Sequence, residues 1–138
     1  MKVEVTDNTA KVKEELNNKI ALALEEAGLH VEGEAMEELN NDPRRIDTGN
    51  LRNSITHIVA PEEDSVYIGT NVEYGVYVHE GTGIYAASGN GRQTPWVYQD
   101  NKGNWHVTRG MKPNRFLKNA VERNTKEIAE IINSVLQS

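Results

Sequence analysis

Asp47-Thr48-Gly49 is a triplet whose carboxylate could activate water for peptide hydrolysis. That chemistry needs two carboxylates sharing one proton, so a chain with one such triplet builds the dyad only by pairing with a second copy. A catalytic Asp of this kind follows a buried apolar strand, and a small apolar residue usually follows its Gly. Here Arg44-Arg45 lie upstream and Asn50-Leu51-Arg52 downstream, flanks that suit a surface turn. On the favoured reading Asp47 or Thr48 accepts hydrogen bonds from the free N–H groups of a short helical turn, and Gly49 permits the bend. Leu51 and Ile55 then pin that turn to the core. A homodimeric aspartic protease using Asp47 stands as the alternative.

Other chemistry-bearing residues lack the partners their chemistry requires. His79-Glu80 opens a zinc-protease helix motif, which needs a second His at position 83 to share the helix face, and position 83 is Gly. His30, His57 and His106 show no ligand spacing, so no metal is expected. Gly81, Gly83, Gly89 and Gly91 lack the Lys-Ser/Thr of a phosphate-cradling loop. The chain has no cysteine, which removes disulfides, thiol catalysis and thiolate metal sites together. No cofactor fingerprint is present, and the expectation is a protein that is not an enzyme.

The elements that position these residues follow from hydrophobic period. Val12, Leu16, Ile20, Leu24, Ala27, Val31, Ala35 and Leu39 recur at spacings of three and four, predicting one amphipathic helix from about Asp7 to Asn41. At about 1.5 Å per residue it would reach roughly 50 Å, longer than so small a core needs. Gly28 and Gly33 are expected to kink or break it, and Asn41-Asp42-Pro43 to end it. Ser54 to Ala60 and Val66 to Thr70, separated by a turn, predict an antiparallel pair. Tyr74 to Glu80 suits either a strand or a short helix. Gly81 to Pro95 carries four Gly and no period, predicting a mobile loop. Trp96–Asp100 and Trp105–Thr108 flank a Gly-containing turn and predict a hairpin, its aromatic residues Trp96, Tyr98 and Trp105 favoured in the core, or interface anchors where exposed. Pro113 or Asn114 should open a last helix to about Leu136. The sum is an α+β domain over residues 1–138: a long acidic helix (1–41), a small, mostly antiparallel sheet region (42–112) with its Gly-rich loop (81–95), and a C-terminal helix (113–138).

Composition narrows the function classes. Of 138 residues 37% are hydrophobic and only one is Phe, so the core is expected to be lean and partly aliphatic. Residues 1–41 hold four Lys against ten Asp or Glu, and the remainder balances, so the whole formal charge of −6 sits on the first segment. A free-standing nucleic-acid binder more often carries a basic excess. The acidic segment reads as a solvated helix face, or as a surface that meets a basic neighbour or lines a passage to which DNA must not stick. The start lacks an apolar leader region and no run reaches membrane-spanning length, so the expected compartment is the cytoplasm or a particle assembled there.

Taken in order, Asp47-Thr48-Gly49-Asn50-Leu51-Arg52-Asn53-Ser54, Tyr74-Gly75-Val76-Tyr77-Val78-His79-Glu80-Gly81-Thr82 and Pro113-Asn114-Arg115-Phe116-Leu117 resemble a known pattern. It is that of the head–tail joining, or tail-completion, proteins of long-tailed bacteriophages and prophages, the Hong Kong ninety-seven type, and it covers residues 44–125. The resemblance favours the helical reading of Tyr74 to Glu80. It implies a structural virion protein of the neck, assembled in the host cytoplasm, completing the tail and joining it to the head. It further implies a homo-oligomeric ring around the DNA path, contacts with other neck and tail proteins, DNA passing nearby without sequence-specific binding, and no membrane. Asp47, Thr48, Gly49, Leu51 and Ser54 are expected to build the folded motif; Arg52, Tyr74, Glu80, Trp96 and Phe116 are expected at interfaces. The chain departs from shorter members in the thirty residues between Thr82 and Pro113, where interface residues cannot be carried over. A small adaptor binding another protein through the acidic helix is a further alternative.

Overall fold

A computed structural model describes residues 9–42, 48–100 and 102–138. Helix α1, Thr9–Asn40, runs without a break through both glycines. Gly28 is where the helix meets a sheet: a Cβ there would lie 2.8 Å from both His57 Cδ2 and Val66 Cγ2. The glycine therefore sets how closely helix and sheet approach, and the closeness compensates its low helix propensity. Ala23, Ala27, Val31, Ala35 and Leu39 form the buried stripe, small residues giving way to Leu39 at the C-terminal end. The predicted stripe therefore holds from Ile20 onward, whereas Val12 and Leu16 are exposed.

The short helix α2, Thr48–Ser54, places Leu51 in the core, and Ile55 follows it there. Strands β1, Thr56–Ala60, and β2, Ser65–Gly69, pair antiparallel with His57 opposite Ile68 and Val59 opposite Val66. Period-two alternation sends those four residues towards α1 and leaves Ile58 and Tyr67 outward. A single turn of 3-10 helix, Pro61–Glu63, joins the strands, with Asp64 in the left-handed region at φ 50°.

Helix α3, Gly75–Glu80, resolves the ambiguous segment as a helix and buries Val78. The following Gly-rich segment, expected to lack structure, begins with a tied crossing. Thr82 and Met111 exchange backbone hydrogen bonds at 2.9 and 3.2 Å, and Ile84 N–H donates to Arg109 O at 3.0 Å. The two chain segments pass so closely that a Cβ on Gly83 would sit 1.9 Å from Arg109 O. Gly83 also holds φ 62°, which favours glycine for a second reason.

Strands β3, Trp96–Gln99, and β4, Trp105–Thr108, form the predicted hairpin as a separate two-stranded sheet. Its aromatic residues do not enter the core. Trp96 is half-buried, Tyr98 is exposed and stacks on His106 at 5.2 Å between ring centroids, and Trp105 is 68% exposed. The hairpin pattern fixed the strands correctly but says nothing about what lies behind them, and the core is filled by the helices instead.

The C-terminal segment also differs from one long helix. It divides into α4, Phe116–Glu122, and α5, Thr125–Gln137. Asn124 breaks the run: its side-chain amide donates to Ala120 O at 2.8 Å, taking a carbonyl that a continuing helix would use itself. The break lets both helices pack on α1, α4 through Phe116 and Ala120 and α5 through Ile128, Ile132 and Val135. Lys19 Nζ donates to the Ser138 carbonyl at 2.6 Å, marking where α5 ends alongside α1. Residues Thr9–Asn18 extend beyond that point and are exposed throughout, an overhang of about 15 Å at helical rise.

Candidate assembly surfaces

Of the segment from Asp47 to Ser54, the residues Leu51, Arg52 and Ser54 are tied to the rest of the fold. Asp47 lies outside the described residues, as do Arg44, Arg45 and the side chain of Thr48. Gly49 is exposed at the start of α2, with nothing within 4 Å of where a Cβ would stand. Downstream, Leu51 is fully buried. Ser54 Oγ donates to Leu51 O at 2.6 Å and also bonds the Thr70 hydroxyl, which in turn accepts the Val72 N–H at 3.1 Å. Ser54 thus joins the end of α2 to the loop after β2. Arg52 reaches back to α1, Nη1 donating to Asn40 Oδ1 at 2.8 Å.

Glu80, Phe116 and His79 come together where α3 meets α4. The His79 ring packs edge-on against Phe116 with centroids 5.2 Å apart, and its Nδ1 lies 2.8 Å from Glu80 Oε1. Arg115 Nη2 donates to Glu80 Oε2 at 3.2 Å. The neighbouring imidazole, followed by the guanidinium, holds the Glu80 carboxyl below the usual carboxylate range. Phe116 is fully buried and Tyr74 packs half-buried against the same core. Trp96 stands apart at the hairpin base, with the Arg92 guanidinium 5.6 Å from its ring. An open cleft of about 540 Å³ lies between that hairpin face and the crossing, lined by Tyr85, Trp96, Tyr98, Met111 and Lys112 among others.

Two features escaped the sequence reading. His57 faces α1 and is held between two carboxylates, its Nδ1 on Glu32 and its Nε2 2.9 Å from Glu25. Glu25, Gly28 and Glu32 at spacings of three and four share one helical face, which is the signal that could have found it. Hydrogen bonds that the ring donates to Glu32 and then to Glu25 raise the His57 pKa above its ordinary value, against burial, which lowers it. Asn114 Nδ2 donates to Asp42 Oδ2 at 2.9 Å, and Arg123 Nη1 to Glu38 Oε1 at 2.7 Å, tying the C-terminal part to the end of α1. Acidic residues of the long helix are thus partly spent on internal pairs.

Among the described residues no group of three or more His, Cys, Asp or Glu is arranged to hold a metal ion. Nor is any helix among them long and apolar enough to cross a membrane. What the chain offers outward is apolar surface on projecting elements. Val97, Trp105 and Val107 on one hairpin face are 61%, 68% and 73% exposed, and Ile58 and Tyr67 on the outer face of β1–β2 are 66% and 58% exposed.

The chain is an α+β domain whose outward strand residues leave apolar side chains in solvent. The family model described as "Bacteriophage HK97-gp10, putative tail-component" matches residues 4–81, and the chain belongs to this HK97-gp10-like family of phage tail components. The match covers α1 through α3 and ends where the Gly-rich segment begins, so the hairpin and the Pro-x-x-Phe-Leu segment lie beyond it. No curated protein and no solved structure matches the chain.

Proposed function

We propose that this tail component acts in the virion neck, completing the tail and joining it to the head, as a ring of copies around the DNA path. The observation that carries the reading is how much of the chain projects from its own core. Helix α1 overhangs by ten residues with Val12 and Leu16 exposed, and the hairpin shows Val97, Trp105 and Val107 to solvent. Exposed apolar side chains cost little singly, but contiguous ones on projecting elements mark contact surfaces. In a ring, each element reaches the adjacent copy or the next protein along the neck. Arg52, Tyr74, Glu80 and Trp96 keep partly exposed surface for such contacts, while the buried Phe116 supports them from the core. The carboxylates of α1 give the assembly an acidic wall that DNA slides past without adhering.

Deleting the gene in the phage or lysogen that carries it, inducing lysis and imaging the products by negative stain tests the reading. Filled heads beside unattached tails, rescued by added protein, are expected. Normal numbers of intact virions would refute it.

A further inference from the structure

The described residues form two sheets of two strands each. With only one partner apiece among the described residues, every strand has one edge whose N–H and C=O groups no other strand meets. A two-stranded sheet such as β3–β4, which no helix covers as α1 covers β1–β2, is marginal in water, and proteins usually guard open edges with Lys, Pro, bulges or a covering element. Within their own spans these strands carry no charged or proline guard, and the segment Thr82–Ile84 meets the chain only past the end of β4, at Arg109 and Met111. Thr56–Ala60, Ser65–Gly69, Trp96–Gln99 and Trp105–Thr108 contain no Lys, Arg, Asp, Glu or Pro, and the pairing of both hairpins is regular.

We propose that the β3–β4 hairpin of one copy adds to the β1–β2 sheet of a second copy of the same chain, through β4 against β2, making a four-stranded sheet between subunits. Charge gives the occupant and the orientation. The turn between β1 and β2 is acidic, with Glu62, Glu63 and Asp64 all exposed. The base of the hairpin is basic, with exposed Arg92, Arg109 and Lys112. One chain therefore carries both halves of a complementary pair. Setting acidic turn beside basic base leaves β2 running away from that end and β4 running towards it, so the joined strands are antiparallel, the commoner arrangement. The same placement brings the outward apolar residues of β4, Trp105 and Val107, beside the outward Tyr67 of β2, a cross-strand cluster that removes exposed apolar surface from both copies. The contact is heterologous: hairpin and receiving edge are different surfaces, so each copy gives one and receives another, and the series closes into a ring or continues as a stack. This deepens the ring reading above and rests on it.

The chain lacks cysteine, so introduced thiols report cleanly. Tyr67→Cys and Val107→Cys chains are expressed together in phage particles, and a short bis-maleimide is added to the assembled particles. A cross-linked dimer in the mixture, well above that from either variant alone, is expected. A Val97→Lys/Val107→Lys chain, with unchanged circular dichroism, should lose the oligomer. Particles that contain the protein but yield no mixed dimer, or a Lys variant that oligomerises undiminished, overturn the strand pairing and leave the neck role standing. Particles that do not contain the protein overturn the neck role instead. The same cross-link on the purified, concentrated protein then decides the pairing, with a monomer that yields no mixed dimer refuting it.

Discussion

The His57 imidazole reaches across from β1 to the Glu32 carboxylate on α1, and Glu25 takes its other nitrogen one helical stretch earlier. Between these two acids lies Gly28, against whose missing Cβ the imidazole packs. One histidine thereby ties the long helix to the sheet at the close approach that Gly28 permits.

Stability should depend on the charge of His57 with a defined sign. The folded-state pKa of His57 is raised, chiefly by the hydrogen bond to Glu32. A raised value means the folded state holds the proton more tightly, so the contribution is complete below the unfolded pKa of about 6.5 and disappears as pH rises through the folded value. Urea midpoints should therefore fall from about pH 6.5 upward, more steeply than in His57→Gln. The lowered carboxyls of Glu80 and Asp100 act at the other end, with stability present above the ordinary carboxylate range and lost as pH falls below it. Parallel profiles for wild type and His57→Gln above neutrality would contradict the first assignment.

The two glycines of α1 should respond oppositely to alanine. At Gly33 nothing lies within 4 Å of the new Cβ, so Gly33→Ala should stabilise by about 0.5–1 kcal/mol through helix propensity alone. At Gly28 the new methyl meets His57 and Val66 at 2.8 Å, forcing helix and sheet apart. Overpacking of this kind costs about 1–3 kcal/mol. Thermal unfolding of the two variants checks both, and equal shifts of the same sign would mean the helix does not approach the sheet as closely as described.

Asp47→Asn should leave particle yield and protein stability near wild type. Asn caps a helix nearly as well as Asp, whereas a hydrolytic dyad requires the carboxyl itself. Leu51→Ala, four residues on, removes a fully buried side chain and should cost about 2–5 kcal/mol. Denaturant unfolding and plaque counts on the two variants separate a folding motif from a catalytic one. Loss of function in Asp47→Asn with an intact fold would revive the protease.

What could be read in the sequence was whatever depends on neighbours along the chain. The helix period from Ile20 to Leu39, both hairpins and the α+β class follow from spacing and turn chemistry, and all appear in the structure. Features that depend on what lies opposite were not legible. Gly28 looks like a helix breaker until the sheet is placed against it, and Asn124 looks like one polar residue in a long stripe until its amide takes the Ala120 carbonyl. Trp105 and Phe116 are equally apolar in sequence, yet one is exposed and the other fully buried. The Arg115–Glu80 pair joins residues thirty-five positions apart and has no local signature.

That last contrast yields the sharpest separation of folding from assembly. Phe116 fills the junction of α3 and α4 under the His79 ring, so Phe116→Ala should destabilise by about 3–5 kcal/mol and reduce soluble protein. Trp105 has most of its surface in water, and its removal leaves no cavity in the core. Trp105→Ala should therefore change unfolding free energy by no more than about 0.5 kcal/mol. Its effect belongs to assembly, because large aromatic side chains dominate the energetics of contacts they enter. Particles from phage carrying Trp105→Ala should show fewer joined heads and tails at unchanged levels of folded protein. If Trp105→Ala instead unfolds the chain, the hairpin is part of the core of the free subunit; if it alters neither stability nor particle yield, the exposed face of β4 is not a contact surface.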